Sequence, residues 1–186
     1  MQAHFLEGGF LNQPIDASHA FRAIMIAMAR PGEISVVAGV KPPEPMSTAA
    51  GTVLLTLCDP ETPLFLAPSH DTPQIRDWIT FYTGAPFTVA EHAIFAIGAW
   101  DQLPLAVFPC GTAEYPDRST TLIVELPTLT SSGAMLSGPG IKDQTELSLP
   151  GTKIFQDNAR LFPLGLDFIF TCGGCIAALP RTTRVS

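Results

Sequence analysis

The residues of this 186-residue chain best suited to chemistry fall in two short polar segments, each set beside a β run. The first is Gly111 to Thr121, GTAEYPDRSTT, which gathers Glu114, Tyr115, Asp117 and Arg118 ahead of Ser119, Thr120 and Thr121. A guanidinium followed by hydroxyls offers charged and neutral donors to a phosphate or phosphonate, whereas Glu114 and Asp117 could instead hold Arg118 in a salt bridge. The same composition suits a polar loop entering a strand, since turns are rich in such residues. The second segment, Pro180-Arg181-Thr182-Thr183-Arg184, places two arginines and two threonines just beyond a β run. Its donors fit an anion, and equally a solvated tail that keeps an edge strand from pairing. Arg118, Arg181, Thr182, Thr183 and Arg184 are therefore the candidate ligand-binding residues.

Other chemistries are present only in part. Cys172 and Cys175 form a C-x-x-C that could give two thiolates to a tetrahedral zinc, but the second pair is missing. Cys58, Cys110 and the histidines His4, His19, His70 and His92 show no matching spacing. A redox C-x-x-C usually sits at a helix N-terminus, where the dipole lowers the thiol pKa. Here the pair lies between two β runs, and cysteines flanking a Gly-Gly turn read first as small residues at a crowded bend. Schiff-base chemistry with pyridoxal phosphate needs a lysine, and Lys41, Lys142 and Lys153 are the whole supply. There is no G-x-S-x-G elbow and no evident Ser-His-Asp order, although a triad of distant residues stays open. The phosphate-loop and dinucleotide signatures are absent, and Gly138-Pro139-Gly140 is a turn signal. The expectation is no catalytic residue, no metal and no cofactor.

Composition narrows the class of protein that must position these segments. An apolar fraction of 46% against 15% charged residues fits a globular chain with broad buried faces, some of which can meet a partner. A chain of this length defaults to one domain, here residues 1–186, burying roughly 70% of its unfolded surface. The formal charge of −7 repels a phosphate backbone, so nucleic acid is not an expected partner. The start, MQAHFLEGGF, lacks the basic and apolar regions that export requires, and the apolar stretch Phe168 to Pro180 is too short to span a bilayer. Four irregularly spaced cysteines read as reduced thiols. A cytoplasmic location without membrane attachment follows as an expectation.

Periodicity then supplies the elements. Asp16 caps a helix in which Phe21, Ile24, Met25 and Met28 form the core face, and Pro31-Gly32 stops it. A β run at Ile34 to Val37 precedes Ser47, the cap of a second helix or the start of a buried strand, ending near Asp59. Pro63 to Ala67 is a buried strand, and Thr72-Pro73 opens a helix carrying Ile75, Trp78, Ile79 and Tyr82 on one face, ended by Gly84. Ala93 to Ile97 and Thr120 to Leu126 are further strands, with Leu122, Val124 and Leu126 on one side. A helix from Thr152 to Phe162 leads to β runs at Asp167 to Thr171 and Ile176 to Leu179, joined as a hairpin. The alternation plus the hairpin predicts an α/β fold, a mixed β-sheet flanked by helices.

Taken together these blocks resemble the PhnH family, the H subunit of the bacterial carbon-phosphorus lyase system for phosphonate use. The blocks are Phe21-Arg22 with Met28-Ala29-Arg30-Pro31-Gly32, Leu54-Leu55-Thr56-Leu57 with Asp59 and Thr62-Pro63, and Phe81-Tyr82-Thr83-Gly84-Ala85-Pro86. Gly111-Thr112-Ala113, Ser137-Gly138-Pro139-Gly140-Ile141, Phe162-Pro163-Leu164-Gly165 with Asp167, and Pro180-Arg181-Thr182-Thr183 complete the series. Cys175 departs from it, standing where a polar residue is expected. The resemblance implies a reduced fold of the pyridoxal-phosphate-dependent transferases without their cofactor site, a homodimer when isolated, and partnership with the G, I and J subunits in a core complex. That system, with its ATP-binding L subunit, forms α-D-ribose 1-methylphosphonate 5-triphosphate from ATP and a phosphonate, and the H subunit is accessory to that transfer. No catalytic residue carries over. The alternative is a self-sufficient phosphate- or phosphonate-binding protein or enzyme.

Overall fold

In the computed structural model, which describes residues 7–186, four helices and nine strands are laid around one six-stranded sheet. The reading of the first ten residues lies partly outside the described range. The helices are α1 (Gln13–Ala29), α2 (Thr48–Leu57), α3 (Pro73–Thr83) and α4 (Lys153–Arg160). The strands are β1 (Ser35–Val36), β2 (Leu64–Leu66), β3 (Phe95–Ala99), β4 (Thr121–Glu125), β5 (Ala134–Ser137), β6 (Thr145–Leu147), β7 (Asp167–Cys172), β8 (Cys175–Leu179) and β9 (Arg184–Val185). The main sheet runs β1-β8-β7-β4-β3-β2, with β2, β3, β4 and β7 mutually parallel, β8 antiparallel to β7, and β1 antiparallel to β8. A small antiparallel sheet, β6-β5-β9, stands apart from it.

Alternation along the strands divides the core in two. Ile97, Ile123, Ile169, Ile176 and Ala178 face α1, α2 and α3, where Ile24, Val53, Leu54, Ile75, Trp78 and Ile79 are buried. The intervening residues, Leu122, Val124, Phe168, Phe170, Ala177 and Leu179, face a second core closed by Phe155 of α4 and by Leu136, Leu147 and Val185 of the small sheet. Leu126 packs against this second core, on the same side as Leu122 and Val124, as the sequence alternation predicts. Aromatic rings bind the layer together: Phe155 meets Phe168 edge-on at 5.0 Å and stacks on Trp100 at 5.2 Å.

The expected mixed sheet flanked by helices is present, with corrections at α1 and at the chain end and one open element resolved. α1 starts at Gln13 with Pro14 in its first turn, and Asp16 accepts the backbone N–H of Asn12 at 2.8 Å instead of capping the helix itself. Its core face is Ala20, Ile24 and Ala27, so Phe21 and Met25 point outward. The ambiguous element after Ser47 is a helix, whose Ala50 N–H is accepted by the Ser47 hydroxyl at 3.1 Å. The segment ending at Arg184 is not a free tail: Arg184 and Val185 form β9, registered against Ser137 and Leu136.

Candidate functional site

The loop GTAEYPDRS closes on itself before β4 begins. Cys110 and Ser119 form an antiparallel bridge, Thr112 and Tyr115 exchange backbone bonds of 3.1 Å each way, and Arg118 lies over the Tyr115 ring at 4.0 Å. Gly111 is required by this closure, because a Cβ there would stand 2.6 Å from the Pro116 carbonyl oxygen and its φ is +81°. Arg118 is exposed, and among the described residues neither Glu114 nor Asp117 forms an ion pair with it.

Arg181 is placed differently. Since β8 returns antiparallel to β7, the chain just beyond β8, Pro180 and then Arg181, comes back beside Asp167, the first residue of β7. The Arg181 guanidinium grips both carboxylate oxygens of Asp167 through Nε, at 3.2 Å each, and through Nη2, while its backbone N–H reaches Oδ1 at 2.9 Å. The remaining donors go to the Ser119 hydroxyl and to the carbonyls of Pro116 at 2.7 Å and Pro163 at 3.4 Å. The two segments that sequence reading treated separately are thus one network at the amino ends of β4 and β7. Its arginine is occupied by protein groups, and Arg181 and Asp167 are largely buried. Burial raises the nearby Cys110 thiol pKa, with the Arg181 charge opposing it.

The other candidates diverge. Thr182 is half-buried, and Thr183 is buried with its hydroxyl unpaired. Arg184 is exposed on β9 and, with Arg160 and Gln156 of α4, lines an open groove of about 400 Å³. Arg118 and Arg184 are therefore the two candidates with guanidinium groups facing solvent.

A second cluster lies at the opposite edge, beyond the carboxyl ends of β2, β3, β4 and β7, where α/β sheets usually hold their ligands. Glu125, closing β4, accepts the Ser47 N–H at the start of α2 at 2.7 Å, and its other oxygen accepts the Thr171 hydroxyl at 3.0 Å. His70 follows β2; its Nδ1 is 2.9 Å from the Ser69 hydroxyl, which also accepts the Ala99 N–H at 3.0 Å. His70 Nε2 is buried, lacks a hydrogen-bond partner and stands 3.8 Å from Glu125 Oε1, beyond hydrogen-bond range. Hydroxyl, imidazole and carboxylate lie in the order used by nucleophilic sites, but the link between imidazole and carboxylate is open. Sequence reading missed this cluster because Ser69-His70 is an ordinary dipeptide after a strand. The available signal was Glu125, a lone carboxylate in the apolar run LIVEL, since a charge in a buried strand demands partners.

Family comparison accounts for all but the first of the described residues. Residues 8–186 match the family described as "Bacterial phosphonate metabolism protein (PhnH)". The alpha-D-ribose 1-methylphosphonate 5-triphosphate synthase subunit PhnH of Rhizobium meliloti (strain 1021) is 37% identical over 199 residues, covering 99% of this chain and 97% of the relative. HtxG of Stutzerimonas stutzeri, whose assignment as a C-P lyase subunit protein is itself provisional, is 28% identical over 178 residues, covering 90% of this chain and 84% of its own. With a match that spans both core faces and the network around Arg181, the chain belongs to the PhnH family of bacterial phosphonate metabolism proteins.

Proposed function

We propose that this chain is an accessory subunit of the carbon-phosphorus lyase core complex, required for forming α-D-ribose 1-methylphosphonate 5-triphosphate from ATP and a phosphonate. The observation that carries this reading is the end-to-end similarity to a relative named as a subunit of that synthase. The partners are the G, I and J subunits and a second copy of the chain, in the cytoplasm. One domain is the unit that assembles, because both cores share the six-stranded sheet. Its fold is a reduced version of the pyridoxal-phosphate-dependent transferase fold, and it performs no chemistry alone.

Surface apolarity supports a partnered chain. Phe21, Met25 and Ile26 of α1 are 49%, 54% and 39% exposed, and with Arg22 and Arg30 they border an open apolar face. No helix among the described residues is long and apolar enough to cross a membrane. Co-expression with the G, I and J subunits tests the reading: the chain is expected to co-purify with them, and elution alone while the others assemble would refute it. Deleting the gene is expected to abolish growth on a phosphonate as sole phosphorus source, restored by the wild-type chain.

The exposed Arg118 and the groove beside Arg184 support a second reading, a chain that binds a phosphate or phosphonate by itself. Thermal-shift measurement of the isolated chain with ATP, ribose phosphates and phosphonates separates the two. Tight binding lost in Arg118→Ala or Arg184→Ala would favour this second reading.

A further inference from the structure

We propose that Cys172 and Cys175 form a reversible dithiol-disulfide site, oxidised by a small disulfide such as oxidised glutathione. Sequence alone puts the pair between two β runs; the fold adds register, access and attachment. Cys172 and Cys175 are direct Cα partners across the β7-β8 hairpin, joined by Gly173 and Gly174. Antiparallel partners stand about 4.5 or 5.5 Å apart between Cα atoms. Either separation falls inside the roughly 4.4 to 6.8 Å that a disulfide spans, so the backbone need not move far to join the sulfurs.

Access follows from the turn. Both cysteines are half-buried rather than sealed in the core, and a Cβ on Gly173 would meet nothing within 4 Å, so the turn is open on that side. The other two cysteines are poorer reactants: burial and the neighbouring Asp59 charge push the Cys58 thiol up to about 12, and burial also raises that of Cys110. The described residues hold no group of three or more His, Cys, Asp or Glu side chains able to share a metal.

The turn is also attached to the carboxyl-edge cluster. The Gly173 carbonyl accepts the Ala49 N–H in the first turn of α2 at 2.8 Å, and the Gly174 carbonyl accepts the Val37 N–H at 2.8 Å. Thr171, adjacent to Cys172, holds Glu125. Joining the sulfurs therefore constrains the turn that anchors the start of α2 and the chain after β1. In the reaction one cysteine thiolate attacks oxidised glutathione and expels one glutathione thiolate. The second cysteine then attacks the protein sulfur of the mixed disulfide and expels the other. Two thiol protons are released to the two leaving thiolates, the protein pair is oxidised and glutathione is reduced.

Equilibrating the full chain over a series of reduced and oxidised glutathione, quenching with an alkylating reagent and mapping peptides by mass tests this. The expected result is a loss of two hydrogens on one peptide spanning Cys172 to Cys175, reversed by dithiothreitol. Cys172→Ser and Cys175→Ser are each expected to stop at a mixed glutathione adduct on the remaining cysteine. The proposal is overturned if both thiols stay alkylatable at the oxidising end, if wild type yields only glutathione adducts, or if pairing involves Cys58 or Cys110. Because the wild-type chain alone gives the deciding result, a poorly folding variant leaves the test intact.

Discussion

Arg181 holds Asp167 through both carboxylate oxygens, with the two side chains only 12% and 16% exposed, and the same guanidinium reaches Ser119 and the Pro116 carbonyl in the preceding polar loop. One residue thus fixes the entrance of β4 to the entrance of β7. Removing one partner of a buried pair leaves an uncompensated charge, which costs about 3 to 5 kcal/mol. Arg181→Ala is expected to destabilise the chain by about that amount in urea unfolding. Arg181→Lys is expected to recover little, because an ammonium cannot supply the planar fork. A loss below about 1 kcal/mol in Arg181→Ala would show that the network is not structural, on the scale of an exposed pair.

Glu125 is expected to matter through α2, whose cap residue Ser47 it holds. Glu125→Ala removes the acceptor of the Ser47 N–H, leaving that donor without its partner, whereas the Thr171 hydroxyl keeps the Val124 carbonyl at 3.2 Å. A buried donor left unsatisfied costs about 1 to 3 kcal/mol. Glu125→Gln keeps an acceptor oxygen and is expected to lose less. Hydrogen exchange checks the location, since protection should fall first in the opening turn of α2 and change little in α3.

The sheet was legible because its strands are apolar runs bounded by Gly and Pro, and because β4 alternates Leu122, Ile123 and Val124 between two cores. α3 was equally plain, with Ile75, Trp78 and Ile79 at helical spacing and Gly84 closing it at φ 66°. Phe21 and Met25 misled because helical spacing marks an apolar face without saying whether the chain itself covers it. The small sheet escaped notice because β6 and β9 contain three and two residues, too few for any period to register. The polar sites were hardest to read. Arg181 looks like a ligand residue until the return of β8 brings it to Asp167, and His70 meets Glu125 only through the parallel pairing of β2, β3 and β4.

Asp59 supplies a pH-dependent test confined to one turn. Its carboxylate accepts the Thr62 hydroxyl at 2.7 Å and the Glu61 N–H at 2.9 Å, and these bonds, the first foremost, hold its pKa below 3.8. A depressed carboxylate pKa lends stability that is complete above the unfolded value and disappears as pH falls through the folded one. Thr62→Val keeps the shape and removes the larger cause. The Asp59 carboxyl carbon, followed by NMR, should titrate at higher pH in the variant than in the wild type. An unchanged titration would rule out the hydroxyl as the cause.

The outward face of α1 separates assembly from folding. Phe21 and Met25 make little contact with the protein's own core, so Phe21→Glu and Met25→Glu should each change unfolding stability by no more than about 0.5 kcal/mol. A charge placed in an interface must be desolvated on association, and if this face meets a partner the same substitutions should weaken assembly by at least tenfold. Size-exclusion chromatography of the isolated chain and co-purification with the G, I and J subunits read the two kinds of contact independently. Loss of self-association alone would assign α1 to the proposed homodimer, and loss of co-purification alone would assign it to the proposed complex. Retention of both, with stability unchanged, would remove α1 as the docking face.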